Sequence, residues 1–162
     1  MHIFTIIYSF ILLFFFHPLY NNYTSLMNNS HAVLYYIWCI LLTLSLCKLF
    51  LKISNFKKCI YILAGSFFVG LVLPYHQNYP LCSKLHVLIP IICIIITFLF
   101  LALLIRIKQK SEPLKAHKLY QWYFYCLSII FMFIIFFSQI NGLIEITILL
   151  SIYFIIYLLQ HS

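Results

Sequence analysis

Residues 85–105 contain no Asp, Glu, Lys or Arg, and five further stretches carry at most one such charge each: residues 3–20, 32–51, 59–74, 119–137 and 141–159. A run of about 20 such residues is what a helix needs to cross the roughly 30 Å hydrocarbon core of a bilayer. Lipid offers the backbone no hydrogen-bond partner, so only helices and closed barrels can pass through it. The pattern predicts an all-α, polytopic integral membrane protein, a single domain over residues 1–162 with six transmembrane helices in a bundle. Composition agrees. The 162-residue chain is 65% hydrophobic and 7% charged, with mean hydropathy +1.09, whereas about a quarter of a soluble domain is charged.

Local signals set the boundaries. Residues 3–20 lack a basic leading region and a small-residue cleavage site, which predicts a retained helix rather than a signal peptide, ended by His17-Pro18. The loop at 21–31 holds Asn22-Tyr-Thr and Asn28-Asn-Ser, formal glycosylation sequons without meaning in a bacterium. The Ser66-x-x-x-Gly70 spacing in the third segment suits the close approach of another helix. Pro90 predicts a kink in the fourth. Residues 119–158 as one helix would be about 60 Å long, twice the hydrocarbon thickness. A turn at Asn141-Gly142 resolves this and separates the fifth span from the sixth.

The net charge of +8 does not point to nucleic acid, because the basic residues sit in short gaps between apolar segments instead of gathering on one face or in a tail. Lys48, Lys52, Lys57 and Lys58 flank the second gap. Arg106, Lys108, Lys110, Lys115 and Lys118 flank the fourth, which leaves only Lys84 elsewhere. Positive charge marks cytoplasmic loops, so both termini are expected inside. The fourth gap could touch anionic headgroups, although orientation alone explains it. The six cysteines include no C-x-x-C pair, so neither a zinc ribbon nor a thioredoxin-like site is indicated. Heavy use of residues with AT-rich codons suggests a bacterial plasma membrane, with an organelle inner membrane as the alternative.

With that topology, His17, His31, His76, His86, Asn141 and Glu145 fall in one layer on the outer side. Glu145 is one of only two acids in the chain, and on a continuous helix it would share a face with Ser138 and Asn141. An ionisable group within a span faces protein or water, because lipid would penalise it by several kcal/mol. Imidazoles with a carboxylate are plausible zinc ligands, or an acid and a base. The plainer reading is interfacial histidines and an acid favoured by the helix dipole near an Asn141 cap. No H-x-x-x-H, G-x-S-x-G or Gly-rich phosphate loop is present. His86 or Asn141 is the expected partner of Glu145.

Gly70-Leu-Val-Leu-Pro74, the following Leu85-His86-Val and the helix start Gly142-Leu-Ile-Glu145 together resemble the DRAM/Sfk-like six-helix membrane proteins and their bacterial relatives of unknown function. That resemblance implies a small polytopic protein associated with membrane lipid and supplies no catalytic residue. The expected function is a non-enzymatic, lipid-associated or partner-binding role through the outer polar layer, with no cofactor. The alternatives are an outer-leaflet lipid hydrolase, metal- or acid/base-dependent, and a small accessory subunit of a larger membrane complex.

Overall fold

The computed structural model describes residues 2–28, 30–75 and 78–161. The described residues form six α-helices: α1 (His2–Leu12), α2 (Ala32–Ile53), α3 (Lys57–Val72), α4 (Pro80–Gln109), α5 (Pro113–Phe137) and α6 (Gly142–His161). Short 3-10 segments run over Leu13–Phe15 and Tyr23–Asn28, and no strand occurs among the described residues.

The helix boundaries follow from local chemistry. Pro80 and Pro113 each occupy a first helical position, where a missing N–H costs nothing. α2 gives way at Ser54, whose Oγ accepts the Phe56 N–H at 3.1 Å. α3 ends just ahead of Pro74, which disfavours helical backbone in the residue before it. α5 stops at Ser138, which turns into the left-handed region at φ 55° while its N–H still reaches the Ile134 carbonyl.

Four helices, α2, α4, α5 and α6, are long and apolar enough to cross a membrane. The other two are shorter: at 1.5 Å per residue α3 extends about 24 Å and α1 about 16 Å. The segment expected as helix over 3–20 stays α-helical only to Leu12. Pro18 prevents continuation, and the N–H groups of Tyr20 and Asn21 both turn back onto the His17 carbonyl. Ser138 also departs from expectation. As the end of α5 it cannot share a helical face with Asn141 and Glu145.

From α2 onward each helix packs on its successor, and α6 also touches α1, α2 and α4. At the α3–α4 contact, a Cβ on Gly70 would stand 2.7 Å from Pro90 Cδ, so only glycine permits this approach. Ser66, four residues away, is exposed and takes no part. Pro90 lies inside α4 and removes the donor that the His86 carbonyl would otherwise meet.

The exterior is apolar, with Phe14 89%, Phe136 79% and Ile135 78% exposed. The interior carries polar groups. The Trp38 indole donates to Ser9 Oγ at 2.8 Å, the Tyr153 hydroxyl to Ser45 Oγ at 2.7 Å, and the Tyr35 hydroxyl to the Leu71 carbonyl at 2.8 Å. Hydrocarbon outside and satisfied hydrogen bonds inside are what a lipid environment demands of a helical chain.

Candidate functional site

The first turn of any helix leaves backbone N–H groups without intrahelical partners. In α6 those groups are spent on a returning loop. Asn141 caps the helix, its Oδ1 accepting the Ile144 N–H at 3.1 Å while its Nδ2 donates to the Leu19 carbonyl at 3.0 Å. Gly142 N–H reaches the Asn21 carbonyl at 2.8 Å, and Leu143 N–H the Pro18 carbonyl at 3.3 Å. Gly142 packs closely on the loop: a Cβ there would lie 2.6 Å from Phe16 Cε2, so that ring would have to shift.

Glu145 lies one turn further along. Its Oε2 accepts the Tyr23 backbone N–H at 2.8 Å. The buried Tyr23 ring stacks on Trp38, with centroids 4.5 Å apart and planes 3° from parallel, and its hydroxyl donates to the Ser9 carbonyl at 2.7 Å. Burial, reinforced by the Glu145 carboxylate, pushes the Tyr23 hydroxyl up, which keeps it a donor.

The next residue ties the loop to α4. Thr24 Oγ1 lies 3.0 Å from His86 Nε2, and His86 Nδ1 lies 2.8 Å from the Leu73 carbonyl. A carbonyl can only accept, so Nδ1 carries the proton and Nε2 accepts from the threonine hydroxyl, a tautomer assigned from these contacts. Segment 17–24 is therefore strapped to α6 on one side and to α4 on the other.

Three of the six predicted residues, His86, Asn141 and Glu145, are brought together in this way. The expected partners of Glu145, His86 and the Asn141 side chain, are replaced by a main-chain amide. His17 is exposed and packs on Tyr20 at 4.6 Å, and His31 packs on Phe15 at 4.9 Å. The His17 carbonyl accepts two N–H groups within the strap, but neither imidazole bonds to α4 or α6. His76 lies outside the described residues, as does Asn29 of the second sequon. Among the described residues no group of three or more His, Cys, Asp or Glu side chains could hold a metal.

Sequence reasoning missed Tyr23, Thr24, Ser9 and Trp38. Tyr23 meets Glu145 through its main chain, which leaves no mark in residue type. Thr24 was visible only as part of a sequon. Away from the strap, an apolar cleft between α2, α3 and α4 is lined by Leu46, Phe50, Leu63, Phe67 and Ile94. Beside it the Thr43 hydroxyl is buried with no hydrogen-bond partner among the described residues. Comparison with protein-family models, with curated proteins and with solved structures yields no match.

Proposed function

We propose that the chain is a six-span integral membrane protein with both termini on the lysine-bearing cytoplasmic side, acting by association with lipid or a membrane partner rather than by catalysis. The observation that carries this reading is the placement of charge: nine of the ten basic residues flank the α2–α3 and α4–α5 connections. That asymmetry is what orientation in a membrane requires. The strap adds support against an enzyme, because the histidine and carboxylate that would do chemistry are engaged in holding a loop. It also gives structural work to the residues behind the DRAM/Sfk-like resemblance, Gly70, His86, Gly142 and Glu145. We retain that kinship as a proposal, with a bacterial plasma membrane as the setting. The short α1 and α3 cross by local thinning of the bilayer around them.

Single cysteines at positions 20, 57 and 110, in a chain whose native cysteines are replaced, test the topology with an impermeant maleimide on sealed vesicles. Positions 57 and 110 are expected on one side and position 20 on the other. If α3 fails to cross, 57 and 110 label from opposite sides and the six-span reading falls.

A further inference from the structure

Helix α1 turns its polar residues inward. His2, Thr5 and Ser9 recur three and four apart, which places them on one face, and Thr5 and Ser9 are buried. Side chains of α2 and α6 meet them there. The Trp38 indole donates to Ser9 Oγ, the Tyr153 hydroxyl donates to Ser45 Oγ at 2.7 Å, and His2 Nδ1 lies 3.3 Å from the same Ser45 oxygen. The Thr5 hydroxyl bonds to that of Tyr153 as well. From Ser9 to His2, as from Trp38 to Ser45, the row covers about 10 Å at 1.5 Å per residue. Its inner end comes within one turn of Lys48 on α2.

The outer end of this row is closed by a connection that does not behave as one. Connecting segments run over the surface, yet Tyr23, Leu26 and Met27 of the 3-10 segment are buried. The Tyr23 ring fills the space beside Trp38 and the Ser9 carbonyl, and Glu145 holds its amide. With that ring withdrawn, the Ser9 carbonyl and the Glu145 carboxylate would face a vacated space, polar and roomy enough to hold water.

We propose that segment 23–27 is a plug, latched by Glu145, in a polar passage between α1, α2 and α6 that carries protons across the membrane when the plug withdraws. The row selects the proton. Hydroxyls and an imidazole exchange protons with water, whereas a dehydrated metal ion needs about six oxygen ligands at once. No level of the row offers so many, and among the described residues no group of His, Cys, Asp or Glu could hold a metal. This inference goes beyond association with lipid or a partner, and it rests on the membrane reading above.

The test uses the full-length protein in sealed phosphatidylcholine vesicles that hold the pH dye pyranine and high potassium, with valinomycin added to draw protons inward. Wild type should be nearly closed. Tyr23→Ala withdraws the ring, and Glu145→Ala frees the latch with the ring in place. Each should raise proton entry on the order of tenfold, while Ser66→Ala on the exposed side of α3 should not. Tyr153→Phe added to Tyr23→Ala takes a hydroxyl out of the row and should return most of the gain. Folded Tyr23→Ala and Glu145→Ala proteins, checked by circular dichroism, that admit protons no faster than wild type would overturn the plug. A gain untouched by Tyr153→Phe, or matched by potassium efflux without valinomycin, would overturn the passage and leave only a damaged bundle. A chain that does not float with the vesicles would refute the membrane reading instead, so the two failures are distinguishable.

Discussion

The two ends of the bundle hold themselves together by different means. At the end where segment 17–24 returns, side chains bond to backbone across elements: Glu145 to the Tyr23 amide, Asn141 to the Leu19 carbonyl, His86 to the Leu73 carbonyl. At the other end nine basic residues gather, and the ion pair there, Glu112 with Lys115, is local and exposed. A buried polar group left unmatched costs about 1–3 kcal/mol, whereas an exposed ion pair contributes little. Polarity at the first end is structural. Charge at the second end is exposed and locally paired, and in the proposed topology it orients the chain.

The contrast breaks most severely if the close approaches at the strapped side are filled. Gly70→Ala or Gly142→Ala drives a methyl against Pro90 or Phe16 and should cost about 1–3 kcal/mol by overpacking, read as a lower unfolding midpoint in detergent. Gly65→Ala is the control: no atom lies within 4 Å of the added carbon. It should be neutral or raise stability by up to about 1 kcal/mol through helix propensity. An equal loss at all three glycines would show that glycine flexibility, not space, is what matters.

A smaller effect sharpens the same point. Asn141→Ala removes the α6 cap and should cost about 1 kcal/mol, with faster proteolysis of residues 17–28 as the accompanying sign. At the lysine end the effects should be smallest. The Lys115 hydrogen bond holds the Glu112 carboxyl below its ordinary range. A depressed carboxylate contributes whatever stability it has above its unfolded pKa and loses it only as pH falls through the lower folded value. Glu112→Gln should therefore fall below wild type by a small, constant amount from pH 8 to pH 5 in thermal unfolding, and the two should converge as the solution is made more acid.

Much of the architecture was legible because hydrocarbon imposes one rule on every segment. The run at 85–105 sits within α4, and Asn141-Gly142 begins α6, as the length argument required. Helix ends were less legible where the signal lies outside the run. α4 starts at Pro80 and continues to Gln109, since polar and basic residues can extend a helix beyond the lipid, and α1 gives way after Leu12 to a 3-10 turn and an extended Phe16, before Pro18 is reached. In the site, the Asn141 cap could be read directly. The partner of Glu145 could not, because a backbone amide is shared by every residue but proline.

In the proposed function Glu145 holds a loop rather than performing a reaction, and unfolding of Glu145→Gln beside Glu145→Ala in detergent tests this most directly. Glutamine keeps an oxygen for the Tyr23 amide, so it should lie within about 1 kcal/mol of wild type, while alanine strands that amide and should fall by about 1–3 kcal/mol. Alanine as stable as wild type, or glutamine as damaged as alanine, would contradict the account.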